Sequence, residues 1–146
     1  MPAINVFVHP YRVSYAECTV GNHIYYSRYL DLLERARGEF FRQLGRTFEQ
    51  WQQMDAIFPV VEARLRYLGA ARYDDLLRIE LWVSELGRVR INFASRIVGP
   101  DGRTLVEATT EHACTTLQDK PRRLPEELAA GLAPYLHPPD SAAGRR

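Results

Sequence analysis

The chain has 146 residues, a length that suits a single domain. With 46% hydrophobic residues, 25% charged residues and a net charge of +1, its bulk properties call for neither nucleic acid nor a membrane surface as partner. Cys18 and Cys114 lie far apart with no C-x-x-C spacing, which fits two thiols in a reducing cytoplasm better than a disulfide scaffold. The opening MPAINVFVHPYRV lacks the charged start and apolar run of a secretory signal, and no stretch approaches the roughly 20 apolar residues of a membrane span. A cytoplasmic protein is expected.

Val6, Val8, Val13 and Tyr15 predict a strand from about Asn5 to Tyr15, and Pro10 assigns it to a sheet edge or a bulge. Ala16 to His23, with Thr19, Gly21 and Asn22, reads as a loop. Tyr29, Leu30, Leu33, Ala36, Arg37, Phe40, Phe41 and Leu44 then recur at steps of three and four, the apolar face of an amphipathic helix. Ser27 suits its cap and Gly45 the position just past its end. Thr47 to Met54 predicts one further helical turn with Trp51 facing inward, and Ile57 to Tyr67 an extended run made irregular by Pro59.

Leu77, Ile79, Leu81 and Val83 alternate with polar residues as one face of a strand does. Leu86-Gly87 turns the chain into Val89, Ile91, Phe93, Ser95 and Ile97, and Gly99-Pro100-Asp101-Gly102 makes a second tight turn. Thr104 to Leu117 predicts the last long strand, and Pro125 to Leu132 a short closing helix. The order is α+β. One long helix cannot cover both faces of a five-stranded antiparallel sheet, so the sheet is expected to wrap around it and to bury an edge or its outer face against a second subunit. Residues 1–135 would form this single domain and residues 136–146 a flexible C-terminal tail.

Tyr15-Ala16-Glu17-Cys18-Thr19-Val20-Gly21-Asn22-His23-Ile24-Tyr25-Tyr26-Ser27-Arg28-Tyr29-Leu30, followed by Leu33-Glu34-Arg35-Ala36-Arg37, carries the chemistry. It resembles the signature of the 4-hydroxybenzoyl-CoA thioesterase family of hotdog proteins, in outline Y-x-E-T-D-x-x-G-x-V-Y-H-x-N-Y-L and then F-x-E-x-A-R. Ala71 to Leu77 resembles the family's approach to its first long strand, and Lys120-Pro121-Arg122-Arg123-Leu124-Pro125 its C-terminal K-P-R-x-L-P. The resemblance runs over residues 10 to 130 in matching order. It implies a hotdog fold, a homodimer or homotetramer, and an acyl-CoA or acyl-carrier-protein substrate. Coenzyme A would enter only as part of that substrate, with no further cofactor. The thioester carbonyl would sit at the N-terminus of the long helix, polarised by backbone donors from Ile24, Tyr25, Tyr26 and Ser27.

The sequence departs from this pattern at the acid. The family's aspartate falls on Thr19 and its histidine on Tyr26. A threonine hydroxyl is no base; it can only orient a water or donate a hydrogen bond. Two candidates for the base remain, Glu17, two residues before Thr19, and His23, a residue type that titrates near neutrality. Thr19 and Asn22 would orient the water or the carbonyl.

The loop also resembles E-T-N-x-V-G-N-V-Y-Y of the enediyne polyketide thioesterases, displaced by one residue and equally without an acid. In that group a helix arginine assists, and Arg37 falls at its position. Glu34 reads as an ion-pair residue, with Arg37 or Arg72 as partner. Tyr25, Tyr26 and Tyr29 suit core packing or an acyl pocket, and His112 a hydrogen-bonded sheet position. Four histidines without i, i+4 pairing argue against a metal. Lys120, Arg122 and Arg123 form a basic run suited to the phosphates of coenzyme A or phosphopantetheine. The rival readings are a non-hydrolytic acyl-thioester binding protein and, on the same fold, a dehydratase.

Overall fold

The computed structural model describes residues 5–139. The chain runs through β1 (Phe7–Arg12), a 3-10 turn (Tyr15–Glu17), the short strands β2 (Cys18–Thr19) and β3 (His23–Ile24), and the long helix α1 (Arg28–Gln43). It continues through α2 (Phe48–Gln53), β4 (Val60–Tyr67), β5 (Leu76–Leu86), β6 (Arg90–Val98), β7 (Thr104–Ala113) and α3 (Glu126–Leu132). Five strands form one antiparallel sheet in the order β1-β5-β6-β7-β4. The sheet curls around α1, the hotdog arrangement that the resemblance implied.

Strand alternation decides which face meets the helix. Leu77, Ile79, Leu81 and Val83 of β5 are at most 1% exposed, as are Ile91, Phe93 and Ile97 of β6. Against them α1 lays Leu32, Leu33, Ala36, Phe40 and Phe41, also at most 1% exposed. Phe40 is the hub: it stacks on Phe7 at 5.1 Å and meets Phe93 and Tyr135 edge-on at 6.3 and 4.7 Å. The stripe differs from the sequence expectation at one position. Leu32 is buried and Leu30 is exposed, because Leu30 lies about 100° round the helix from Tyr29 and falls off the face shared by Tyr29, Leu33 and Arg37.

Both helix ends carry information. Gly45 adopts φ 116°, beyond the reach of ordinary side chains, and its N–H closes on Arg42 O at 3.1 Å. Ser27 makes no side-chain cap: its backbone is already helical (φ −71°, ψ −20°), drawn in by the tight turn from Tyr25 O to Arg28 N at 2.8 Å. Pro10 sits on edge strand β1 opposite Arg78 without disturbing the register. At the other end, Leu136 bridges to Val83 and the His137 N–H donates to Val83 O at 2.7 Å, so the chain stays attached past residue 135 where a flexible tail was expected. Residues 140–146 of that expected tail lie outside the described residues.

Replacing the hub ring tests this packing. Phe40→Ala removes contacts on three sides and should lower the unfolding free energy by about 3–5 kcal/mol, read as a drop in urea midpoint with little change in slope.

Candidate active site

The segment between β1 and α1 is a small structured unit. The 3-10 turn is closed by Glu17, whose Oε1 accepts the Ser14 N–H at 2.8 Å and the Ser14 hydroxyl at 3.1 Å, while Oε2 accepts the Tyr11 hydroxyl at 2.8 Å. Burial and this bonded carboxylate push the Tyr11 phenol upward in pKa. Both Glu17 oxygens point back into this turn rather than along the hairpin that carries Thr19. Glu17 is a loop organiser.

β2 and β3 pair as a two-residue hairpin in which Cys18 faces Ile24 and Thr19 faces His23. Directly opposed residues put their side chains on the same side, so the Thr19 hydroxyl and the His23 imidazole share one face. The turn between them requires Gly21 at φ 86° and Asn22 at φ 61°. Asn22 is tied down: its Oδ1 accepts the Tyr73 N–H at 3.3 Å. Arg72 donates to Gly21 O at 3.3 Å. The hairpin is thus bolted to the 71–75 segment rather than free to swing.

Ala71 holds this unit against the helix. Its N–H donates to the Tyr29 hydroxyl at 3.0 Å, and its carbonyl accepts the Ile24 N–H at 2.9 Å. The Tyr25 N–H is also committed, to Glu17 O at 3.1 Å. Of the four backbone donors named from the sequence, Ile24 and Tyr25 are therefore engaged. Among the described residues no protein acceptor meets the N–H groups of Tyr26 and Ser27, at the start of α1. These open donors, at the positive end of the helix dipole, can hold a developing oxyanion. The exposed rings of Tyr25 and Tyr26 lie 4.7 Å apart, and the Tyr67 hydroxyl, from the end of β4, donates to Tyr26 O at 3.0 Å. Tyr29 is core, at 3% exposure. Sequence reasoning missed Ala71 and Tyr67, for which a single sequence carries no local signal.

Arg37 is not at the helix start. It lies ten residues after Ser27, about 15 Å along the helix. There it lines a cavity of ≈ 270 Å³ with Phe41, Phe48, Phe58, Phe93 and His112. Glu34 stands at the same cavity but makes no ion pair with Arg37 or Arg72 among the described residues. Burial lowers the Arg37 pKa, and the charge of Glu34 opposes that shift. His112 is buried in β7, as its alternating position suggested. Its Nδ1 lies 3.0 Å from Phe58 O, which can only accept, so Nδ1 carries the proton and Nε2 accepts from the Thr110 hydroxyl at 2.9 Å.

The basic run divides. Arg122 is half-buried and donates to Met54 O at 2.8 Å, a structural tie, whereas Lys120 and Arg123 are exposed. Among the described residues, no group of His, Cys, Asp or Glu gathers as a metal would need, and no helix is long and apolar enough to cross a membrane.

A five-stranded antiparallel sheet wrapped on one long helix is the hotdog arrangement. The chain belongs to the thioesterase superfamily, whose family model matches residues 21–106. It is 36% identical over 130 residues to an acyl-CoA thioesterase, YbgC, of Haemophilus influenzae, covering 88% of this chain and 95% of that protein. It is 30% identical to the acyl-CoA thioester hydrolase YbgC of Escherichia coli O157:H7, over 86% of this chain and 94% of that one. The crystal structure of a hypothetical protein from Thermus thermophilus superposes with a TM-score of 0.81 at 27% identity, over 88% of this chain and 98% of that one. The reaction of the chain is hydrolysis of a thioester.

The buried imidazole gives a pH test. Desolvation, aided by the Arg37 charge and opposed by the bond to Phe58 O, brings His112 down to about 4. The unfolded chain takes up this proton near ~6.5, so it binds more protons than the folded protein between those values. Stability is full above about 6.5 and falls as pH drops towards 4, by up to about 3 kcal/mol. Thermal midpoints measured from pH 7 to 4 should show this slope, and His112→Gln should flatten part of it.

Proposed function

We propose that this chain hydrolyses acyl-CoA thioesters, with the carbonyl oxygen held by the N–H groups of Tyr26 and Ser27 and a water activated by His23. The observation that supports this most directly is the pair of open N–H groups at the start of α1, next to the hairpin that carries His23 opposite Thr19. His23 is preferred to Glu17 as base because both Glu17 oxygens are already bonded. His23 takes a proton from water as the oxygen attacks the thioester carbon. The oxyanion rests on the two N–H groups, the C–S bond breaks, and the protonated imidazole returns the proton to the leaving thiolate. Thr19 orients the water. Lys120 and Arg123, exposed and cationic, are suited to the phosphates of the coenzyme, and an acyl-carrier protein presents the same pantetheine arm. A coenzyme A substrate fits a cytoplasmic setting.

The working unit of this reading is a homodimer joined through β4. β4 is a sheet edge, and Val60, Val61 and Tyr67 on it are 48%, 54% and 46% exposed. An unpaired edge with an apolar surface is a template for a second strand. The cavity lies at the start of β4, beside Pro59 and Val60, and Tyr67 at its end touches Tyr26. Antiparallel pairing of two such strands brings the cavity of one protomer beside Tyr26 of its partner.

Two measurements test these statements. On a panel of acyl-CoA thioesters the wild type should release thiol well above the buffer rate, and His23→Ala should lower kcat by at least about tenfold. Undiminished turnover in that variant removes His23 as base. Buffer-level turnover on every member would instead favour an acyl-thioester binding protein. Light scattering should give a mass of twice one chain or a multiple of that, and Val61→Lys should shift it towards the monomer. A wild-type monomer would sink the paired-edge reading.

A further inference from the structure

The floor of the cavity holds two polar side chains that are more than nine-tenths buried, Arg37 at 9% exposure and His112 at 3%. Their situations differ. His112 uses both ring nitrogens, on Phe58 O and Thr110. Arg37, with five N–H donors, makes no hydrogen bond and no ion pair among the described residues. Its nitrogens are not sealed in protein either, since Asn92 Oδ1 is the sealed side-chain polar atom that lacks a partner there. The guanidinium therefore opens into the cavity. A buried cation without an acceptor is costly, and the cavity is where an acceptor must come from.

We infer that this cavity receives the acyl part of the thioester and that Arg37 selects a carboxylate at its far end, so that short dicarboxylic half-thioesters are the favoured substrates. The inference rests on the thioester-hydrolase reading and on the paired β4 edges, which bring the reacting carbonyl on one protomer to the cavity mouth of the other. The volume of ≈ 270 Å³ lies just under the roughly 300–1,000 Å³ of sites for drug-sized molecules, so it has room for a short acyl chain together with its terminal carboxylate. Phe41, Phe48, Phe58 and Phe93 line the cavity around the methylene portion. A carboxylate answers the planar guanidinium with two parallel hydrogen bonds, whereas a methyl group at the same point leaves it dry and unpaired. Glu34, the other charge on the wall, is exposed, so its repulsion is screened by solvent.

Non-hydrolysable thioethers separate this inference from the reaction. S-butyl and S-(3-carboxypropyl) coenzyme A have the same length and differ only in methyl against carboxylate. Calorimetric titration of the wild type should show the carboxypropyl compound binding at least about tenfold more tightly. In Arg37→Met the ratio should fall to about one, with S-butyl binding retained as a sign that the cavity is folded, and Arg37→Lys should keep part of it. Equal wild-type affinities, or a preference that survives Arg37→Met, overturn the inference. So does tighter binding of the neutral S-(3-oxobutyl) analogue than of the carboxylate. Turnover of butyryl- and succinyl-CoA is followed alongside. A carboxylate preference in binding without turnover of either supports the cavity assignment and removes the hydrolase reading. Turnover without that preference does the reverse.

Discussion

The seating of α1 in the curl of the sheet, centred on the contacts of Phe40 with Phe7, Phe93 and Tyr135, is the constraint on which the rest of the molecule depends. A helix of 16 residues is about 24 Å long, and both functional regions are built along it. The open N–H groups of Tyr26 and Ser27 lie immediately before its first turn. Its third and fourth turns supply Arg37 and Phe41 to the cavity wall. Any slippage of the helix on the sheet would move both at once. The first turn has its own anchor, because Ala71 bonds Tyr29 through its N–H and Ile24 through its carbonyl, fixing the hairpin against the helix start. Burial sets the axis, and two backbone hydrogen bonds set the end.

In the proposed dimer, the same geometry accounts for a site that two protomers complete together. Some 15 Å separate Ser27 from Arg37 on one helix, several times the length of a short acyl chain. The two sheet edges are not equivalent. β1 carries Pro10, which removes a donor, and it is short; β4 is longer and exposes Val60, Val61 and Tyr67. β4 is the edge left open, and in the proposed dimer its antiparallel self-pairing turns the end-to-end separation within a protomer into proximity between protomers.

Much of the fold was legible because it follows from periodicity. The alternation from Leu77 to Val83 and the three-and-four spacing from Tyr29 to Phe41 each translate directly into a buried face. The exchange of Leu30 for Leu32 shows the limit of that reading: leucines two residues apart both satisfy a loose step count, and only the actual rotation of 100° per residue separates them. Ser27 misled for a related reason. Residue type suits it to a cap, but the turn from Tyr25 to Arg28 had already wound its backbone. At the site, Glu17 could be placed on Thr19's face only by assuming a strand, whereas its own side chain closes a 3-10 turn. The engagement of the Ile24 and Tyr25 donors depends on Ala71 and on the Glu17 carbonyl, contacts that no local pattern announces. The inward register positions of Thr110 and His112 on β7 were a readable sign that something polar reaches the interior, but not that Arg37 stands near them.

In the proposed mechanism the loop does without a carboxylate. Glu17 is used up in shaping the turn, and Thr19, where the family's aspartate falls, can contribute only a hydroxyl. What remains is preorganised: two N–H groups that need not move and a histidine held opposite Thr19 by a two-residue ladder. Oxyanion donors are worth about 10²–10³-fold each and a base about 10²–10⁴-fold, so in the proposed mechanism the hairpin imidazole can supply what the missing acid would have. Arg37 lies outside this chemistry by about ten helical residues. On the proposed reading its charge lies away from the reacting carbonyl, which suits recognition rather than catalysis and separates the two tasks along α1.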